Sequence, residues 1–169
     1  MSDLRVRLAR PEEYAAVGEV TVAAYREDGY LLGPADPYAD HLRDAATRAR
    51  EAELWVATDN DAVLGAVTFC PYGSPWGELA HKGEGEFRML AVAPHARGRG
   101  VGDALVRVCL DRSRALGYDA VVLSSLPQMT AAHRLYERHG FARQPRRDWT
   151  PYPGVELWAF GLALSPAGP

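Results

Sequence analysis

The sequence predicts an α/β fold in which helices cover a mixed, mostly antiparallel sheet. Short strand-like runs alternate with helical runs along most of the chain. Between residues 86 and 124 a strand, a glycine-rich turn, a helix and another strand follow each other, an order that makes the two strands parallel. The predicted order is β-α-α-β-β-β-α-β-α-β-β. No internal repeat or linker interrupts it, so residues 1–169 are expected to form one domain.

The first half of the chain predicts four strands and two helices. Alternating apolar and charged residues at 4–9 indicate the opening strand, and Pro11 begins a helix that should end near Gly29. A second helix is expected from about Tyr38 to Glu51. The turn residues 59–61 predict a hairpin, with a third strand pairing next to it. The strands after the first are expected at 54–58, 63–70 and 84–93.

In the second half, apolar residues at helical spacing predict a helix from Val101 that Gly117 stops. A continuous apolar run predicts a strand at 120–124. Thr130 is the expected N-cap of a short helix that ends at Gly140. Residues 141–147 and 154–164 should complete the sheet, and residues 165–169 should fray. The glycine- and proline-rich residues 71–85 suit a mobile loop near the site.

Composition excludes several classes of function. The 19 basic and 22 acidic residues give a net charge of −3, which offers no basic field for nucleic acid. Cys70 and Cys109 lie in apolar contexts without a cysteine–histidine cluster, so we expect reduced, buried thiols and no metal. No apolar stretch approaches membrane-spanning length and no leader segment is evident. The expected protein is soluble and cytoplasmic, with no membrane partner.

The segment 97–102, Arg-Gly-Arg-Gly-Val-Gly, connects the strand that ends near Val92 to the following helix. Such a turn aims backbone N–H groups and the positive end of a helix at one point, which favours an anion. A dinucleotide fingerprint fails because Asp103 stands where the third glycine is required. A P-loop fails because the only lysine is Lys82, outside the turn.

The remaining pattern, Arg97-x-x-Gly100-x-Gly102, resembles the acyl-CoA signature of the GNAT (GCN5-related N-acetyltransferase) superfamily. Residues 132–141, Ala-His-Arg-Leu-Tyr-Glu-Arg-His-Gly-Phe, resemble that family's second landmark, a short helix that carries a tyrosine and ends in Gly-Phe. The resemblance is strong over residues 84–141 and rests on the order of elements elsewhere.

The resemblance implies that acetyl-CoA is the co-substrate. Its pyrophosphate would bind at the turn, and its pantetheine arm would lie between two splayed parallel strands at 86–92 and 120–125. Where many family members carry an asparagine after the second of these strands, this chain has Ser124-Ser125 and then Gln128. The implied cofactor-binding residues are Leu90, Ala91, Val92, Arg97, Gly98, Arg99, Gly100, Val101, Gly102, Asp103 and Ser125.

The resemblance also implies two catalytic residues. Tyr136 matches the tyrosine that protonates the departing thiolate, since a tyrosine with a pKa of about 10 holds its proton at neutral pH. Glu86 matches the carboxylate that deprotonates the amine, directly or through water, with Glu84 as the nearby substitute. Neither cysteine has a partner that would activate it, so the amine is expected to attack the thioester directly in a ternary complex.

The acceptor is expected beside three aromatic side chains that the prediction places outside regular elements, Tyr30, Trp76 and Trp149. Acids in the same stretches, including Glu27, Asp28 and Asp148, favour a cationic amine, and Arg146 and Arg147 could hold a carboxylate. The predicted function is acetyl transfer to a primary amine of a small molecule, amino acid or peptide. Two alternatives stay open, a non-catalytic acyl-CoA sensor and a protein N-terminal acetyltransferase, and a homodimer is left open as the assembly.

Overall fold

A computed structural model describes residues 3–33 and 35–165. These residues form two compact units. Unit 1 contains the described residues up to 69 together with 89–108, and unit 2 contains residues 70–88 and 109–165. That residues 1–169 form one domain stays a prediction, and the four last residues of the segment predicted to fray lie outside the described part.

Eight strands and five helices occur in the described residues. They are β1 (Leu4–Leu8), α1 (Tyr14–Glu27), α2 (Tyr38–Arg43), α3 (Ala45–Glu51), β2 (Glu53–Asp59), β3 (Ala62–Cys70), β4 (Glu84–Val92), α4 (Val101–Ala115), β5 (Ala120–Ser125), α5 (Thr130–Arg138), β6 (Ala142–Arg143), β7 (Trp149–Tyr152) and β8 (Val155–Ala163). Short 3₁₀ turns precede α1, α4 and β7. Among these residues, no helix is long and apolar enough to cross a membrane.

Unit 1 carries strands in the order β1-β2-β3-β4. β1 pairs antiparallel with β2, and β2 pairs antiparallel with β3 through the predicted hairpin. Asn60 and Asp61 turn that hairpin with φ of 50° and 68°, the left-handed conformation that short polar side chains tolerate. The core is a cluster in which α1 and α3 pack on the first hairpin, formed by Val17, Ala45, Leu54, Val56 and Ala66.

The helix predicted at 38–51 is in fact two helices. Asp44 leaves the helical region, with ψ of 63°, and its carboxylate accepts a hydrogen bond from the N–H of Thr47 at 3.2 Å. An aspartate prefers this N-cap position because its side chain satisfies a first-turn N–H that has no acceptor within the helix. Asp44 therefore ends α2 and begins α3.

Unit 2 carries strands in the order β4-β5-β8-β6, and β7 also pairs with β8. The parallel pair that the strand–helix–strand order predicts is confirmed, because Glu84, Gly85 and Glu86 align in parallel with residues 120–122. Residues 158–163 of β8 pair antiparallel with the whole length of β5. The mixed, mostly antiparallel α/β fold is thus confirmed.

The parallel register is short. In the described part of unit 2 it ends at Glu86 opposite Val122, although β5 continues to Ser125 and β4 continues past Phe87. Soon afterwards Met89 adopts φ of 54°, which interrupts the extended backbone of β4. The two strands therefore stop sharing hydrogen bonds directly after Glu86, as the predicted splayed pair requires.

Three predictions for the C-terminal part are wrong. The strand expected at 141–147 is only Ala142–Arg143, since Pro145 has no N–H to continue a ladder and starts a 3₁₀ turn. Residues 149–152, expected outside regular elements, form β7, whose Trp149 aligns with Leu157. The N-cap of α5 is Met129, and Thr130 is already the first helical residue.

Candidate active site

The glycine-rich turn in unit 1 leads from the end of β4 into α4. Gly98 and Gly100 adopt φ of 79° and 80°, a region that residues with a side chain rarely enter. The first hydrogen bond of α4 runs from the N–H of Ala104 to the carbonyl of Gly100, at 3.1 Å. The N–H groups in the first turn of an α-helix have no acceptor within the helix, and in α4 these include the N–H groups of Val101 and Gly102. They and the positive end of α4 form a place for an anion.

The space in front of this turn is open. A Cβ built at Gly98 or Gly100 would meet no heavy atom within 4 Å, so both glycines are required for their backbone conformation and not for room. Gly102 lies inside the first turn of α4 and is not among the glycines with positive φ. The turn therefore leaves room for a ligand in front of Gly98 and Gly100.

Both arginines of the turn are held by carboxylates of unit 1. Arg97 donates two hydrogen bonds to the two oxygens of Asp28, at 2.8 and 2.9 Å, just after the end of α1. Arg99 forms an ion pair with Asp59 at the end of β2, and this bond lowers the pKa of Asp59, with the N–H of Asp3 adding to the shift. Solvent screens ion pairs near the surface, so such pairs contribute little to stability. A phosphate could thus replace or join either carboxylate.

Tyr30 lies beside the Arg97–Asp28 pair. Burial raises the pKa of its hydroxyl, the charge of Asp28 adds to the rise, and Arg97 opposes it. The ring packs edge-on against Tyr25, with centroids 6.1 Å apart. Within unit 1, Tyr30 is therefore a neighbour of the anion turn, and its role towards an acceptor stays a prediction.

The predicted pantetheine residues lie on the second half of β4. Ala91 is buried and Leu90 and Val92 are half-buried, so successive side chains alternate between the faces of the strand. Their backbone follows the irregularity at Met89. This is the part of β4 that enters unit 1 and ends where the turn begins.

Glu86 lies at the last paired position of the parallel strands and is 0% exposed. Its Oε1 accepts hydrogen bonds from the backbone N–H groups of three consecutive loop residues, Glu78, Leu79 and Ala80, at 2.9, 2.9 and 3.0 Å. Among the described residues, its Oε2 is buried and has no hydrogen-bond partner. Glu86 is therefore shielded from solvent, and one of its two oxygens organises a loop.

Glu84, the expected substitute for the base, forms an ion pair with Arg147. Arg147 is an arginine that was expected to hold a carboxylate of the acceptor. Arg147 donates to both oxygens of Glu84, at 3.0 and 2.9 Å, and to the carbonyl of Leu79 at 2.7 Å. Burial raises the pKa of Glu84, but the bonds from Arg147 and from the N–H of His81 outweigh it and hold the pKa below its ordinary value. Both side chains thus help to hold the loop that was expected to be mobile.

Asp148 is likewise engaged. It accepts two hydrogen bonds from Arg143, at 2.7 and 2.9 Å, and one from the N–H of Ala159. The bond from Arg143 is the main reason that its pKa is lowered. Asp148 therefore joins the segment before β7 to β8.

Glu78 is a residue that the sequence analysis did not single out. Its side chain is 30% exposed and forms an ion pair with Arg88 at 2.9 Å. Burial raises its pKa, Arg88 opposes the rise and the charge of Glu86 adds to it. Nothing in its local sequence marks it, because its surroundings are created by Glu86 and Arg88 on β4.

Trp76 belongs to the same loop. The guanidinium of Arg88 lies over its ring at 5.7 Å and donates to its carbonyl at 3.1 Å. Within the described residues, the indole Nε1 is buried without a hydrogen-bond partner. Trp76 in the loop and Glu86 on β4 thus carry one buried donor and one buried acceptor that have no hydrogen-bond partner among the described residues.

Tyr136 projects from α5 into an aromatic cluster of unit 2 and is only 6% exposed. Its ring centroid lies 5.7 Å from that of Phe87 and 6.1 Å from those of Phe141 and Phe160. Phe87 directly follows Glu86 on β4. The structure thus brings the predicted acid next to the strand that carries the predicted base.

Ser125 ends β5 and is 4% exposed. Its Oγ lies 3.0 Å from Nε2 of His133, which also lies 3.1 Å from the carbonyl of Leu126. Burial lowers the pKa of His133, so the imidazole is neutral at neutral pH. The neighbouring Ser124 accepts a hydrogen bond from the indole of Trp149 at 3.0 Å. Polar contacts at the end of β5 are therefore made by these two serines.

Cys70 is buried at the end of β3. Burial, and to a smaller extent the charge of Glu86, raises the pKa of its thiol to about 12. At neutral pH the thiol is fully protonated and is a poor nucleophile. Direct attack by the amine therefore remains the expected route.

Comparison with known proteins connects this geometry to a family. The model of the acetyltransferase (GNAT) family matches residues 19–141. A mycothiol acetyltransferase of Geodermatophilus obscurus is 35% identical over 129 residues, which cover 69% of this chain and 41% of that protein. N-alpha-acetyltransferase 30 of Schizosaccharomyces pombe is 31% identical over 114 residues, which cover 66% of this chain and 71% of that protein. The chain thus spans well under half the length of the first of these relatives.

Solved structures share the fold. A Salmonella typhimurium protein described as an acetyltransferase, solved with its cofactor acetyl-CoA, superimposes with a TM-score of 0.69 at 22% identity. The match covers 99% of this chain and 98% of that one. An acetyltransferase of the GNAT family from Staphylococcus aureus gives a TM-score of 0.76 at 13% identity, over 96% of this chain and 99% of that one.

Proposed function

Because this chain belongs to the acetyltransferase (GNAT) family, we propose that it is an N-acetyltransferase that moves acetyl from acetyl-CoA to a primary amine. The observation that carries the proposal is the turn at the start of α4, where Gly98 and Gly100 take positive φ and a Cβ built at either glycine would meet no heavy atom within 4 Å. This turn lies inside the segment that matches the family. Acetyl-CoA supplies the acetyl group as an activated thioester.

The residues of the turn fit a pyrophosphate. The N–H groups of Val101 and Gly102 and the positive end of α4 favour its charge, and Asp103 occupies the same first turn. Arg97 and Arg99 would add charge once Asp28 and Asp59 release or share them. Within unit 1 we assign the pantetheine contacts to Leu90, Ala91 and Val92. Ser125, in unit 2, stays a proposed cofactor contact.

Proton transfer requires two groups, since an ammonium cannot attack and a thiolate leaves more readily when it is protonated. Tyr136 is proposed to hold a proton at its hydroxyl and to give it to the departing sulfur. Glu86 is proposed to assist in taking a proton from the amine. Because Oε1 is bound by three N–H groups and Oε2 is buried, Glu86 acts on an acceptor through another group.

The proposed acceptor is the amine of a small molecule, an amino acid or a peptide terminus. Trp76 supports this proposal in unit 2, because its buried indole N–H lacks a partner among the described residues and could bind a polar group of the acceptor. Tyr30 and Trp149 stay proposed acceptor contacts, although the indole of Trp149 already binds Ser124. The relatives include a mycothiol acetyltransferase and an N-alpha-acetyltransferase, so both small and peptide acceptors belong in the test.

The test is thiol release from acetyl-CoA in the presence of a panel of amines, amino acids and peptides. We expect release that depends on both the protein and one class of acceptor, with the acetylated amine identified by mass spectrometry. Reactions without acceptor measure hydrolysis. Tight binding of acetyl-CoA by calorimetry without acceptor-dependent release would instead support the non-catalytic sensor.

A further inference from the structure

The loop between β3 and β4 takes its shape from a buried carboxylate. Oε1 of Glu86 gathers the N–H groups of Glu78, Leu79 and Ala80, so residues 76–80, here called the Glu78 loop, wrap around one oxygen. Arg147 holds the same loop through the carbonyl of Leu79. The position of Glu78 is therefore imposed by contacts within unit 2 and not by its own sequence.

The Glu78 loop lies where β4 stops pairing with β5. Glu86 is the last residue of β4 in the parallel register, and Arg88, two residues later, forms the ion pair with Glu78. Arg88 also covers the ring of Trp76. Glu78 thus stands beside the segment at which the parallel register of β4 and β5 ends, which is where the family resemblance places the pantetheine arm.

The charges of this cluster suit a single cation. The charged groups that act on Glu78 are Arg88, which attracts it, and Glu86, which repels it. The thiol of Cys70 is neutral at neutral pH. Two carboxylates and one guanidinium leave one net negative charge, which an ammonium would neutralise.

The two carboxylates differ in access. Glu86 is 0% exposed, whereas the side chain of Glu78 is 30% exposed. Burial raises the pKa of Glu78, Arg88 opposes the rise, and the charge of Glu86 adds to it. Because Glu78 is the more accessible carboxylate, we expect an incoming ammonium to contact Glu78 before Glu86.

We propose that Glu78 is the catalytic base that takes a proton from the acceptor's ammonium, and that Glu86 is the positioning residue that holds Glu78 in place. The inference rests on the proposed acetyl transfer. An N–H bond of the ammonium breaks and its proton goes to the carboxylate of Glu78. The freed electron pair forms the bond from nitrogen to the acetyl carbon, the C–S bond breaks towards sulfur, and Tyr136 gives its proton to the sulfur. The nitrogen then loses a second proton, which restores Tyr136 by way of solvent and leaves a neutral amide. Glu78 then returns its own proton to solvent.

The test compares two acceptors of similar shape, an alkylamine that is protonated at neutral pH and its alkoxyamine analogue, which is not. Glu78→Gln should lower kcat/KM for the alkylamine by about 10²–10⁴-fold, the usual effect of losing a general base, and change that for the alkoxyamine by only a few-fold. Glu78→Asp should recover part of the alkylamine rate. Glu12→Gln, the same change on the exposed surface of unit 1, should leave both rates unchanged.

The pH dependence gives a second readout. A base must be ionised, so the parent rate with the alkylamine should fall as pH drops through the pKa of Glu78, which lies above its ordinary 4.5. The ratio of the Glu78→Gln rate to the parent rate should therefore rise as pH falls. Equal losses on both acceptors, or an unchanged alkylamine rate, would overturn the role of Glu78. Turnover of the alkoxyamine by the parent protein measures the proposed acetyl transfer by itself, so the two ideas fail separately.

Discussion

The anion turn of unit 1 and the Glu78 loop of unit 2 are built in opposite ways. The turn owes its shape to its own glycines, at Gly98 and Gly100, and its arginines pair with one exposed carboxylate, Asp28, and one half-buried carboxylate, Asp59. The loop owes its shape to Glu86, which is buried and follows the loop in the sequence. In the described part of the chain, the indole N–H of Trp76 and Oε2 of Glu86 are buried without a hydrogen-bond partner. Changes in the turn should therefore affect binding more than stability, whereas changes around the loop should affect both.

The largest effect is expected at Tyr136, on the unit 2 side of this comparison. Tyr136→Phe keeps the ring in its cluster with Phe87 but removes the proposed acid, so kcat should fall by about 10²–10⁴-fold. The Kd for acetyl-CoA, measured by calorimetry, should not change. Tyr152→Phe, at an exposed tyrosine of the same unit, is the control. An undiminished kcat in Tyr136→Phe would show that Tyr136 contributes packing and does not act as the acid.

Glu86→Ala should cause the largest loss of stability. It leaves three backbone N–H groups of the Glu78 loop without their acceptor, which should lower the free energy of unfolding by about 3 kcal/mol. Urea denaturation measures this change. Glu19→Ala breaks an exposed pair with Arg43 and should cost less than about 1 kcal/mol. Similar losses in the two variants would show that Glu86 does not organise the loop.

Alanine substitutions at Gly100 and Gly154 distinguish an effect on ligand binding from an effect of backbone strain. Gly100 and Gly154 have φ of 80° and 85°, and neither has an atom within 4 Å of a built Cβ. An alanine at either position should cost about 1 kcal/mol of stability, because its Cβ crowds the backbone at positive φ. Only Gly100→Ala should weaken acetyl-CoA binding. We expect an effect of about tenfold, because the backbone relieves the strain by turning the N–H groups of the anion turn away from the ligand. Equal affinities in the two variants would contradict the assignment of the turn.

The smallest effect is expected at Asp28. Asp28→Asn removes the charge that competes with a phosphate for Arg97, so acetyl-CoA should bind about two- to fivefold more tightly at low salt, and the gain should shrink as salt increases. Asp40→Asn, at a highly exposed carboxylate of α2, serves as the control. Weaker binding in Asp28→Asn would mean that the carboxylate orients Arg97 for the ligand and does not compete with it.

Much of the fold follows from local patterns in the sequence. The strand–turn–helix–strand order predicts the parallel pair, and the structure confirms it at Glu84–Glu86. The break at Asp44 was missed because its N-cap interrupts an otherwise helical pattern, and β7 was missed because a four-residue strand that contains Pro151 carries little periodicity. Motif and position in the sequence identified Tyr136 and Glu86 as site residues. They did not predict that Glu86 is buried.

The sequence by itself determined the order of elements except for β7 and the break between α2 and α3. It also determined the family resemblance and the anion turn, since glycines at positive φ and a helix start act over a few residues. Only the tertiary structure decided which carboxylate is accessible. Glu78, Glu84 and Glu86 look alike in the sequence, yet one pairs with Arg147, one is buried beneath a loop and one meets solvent beside Arg88. Burial and charge pairing depend on residues distant along the chain, so no local pattern could distinguish the three.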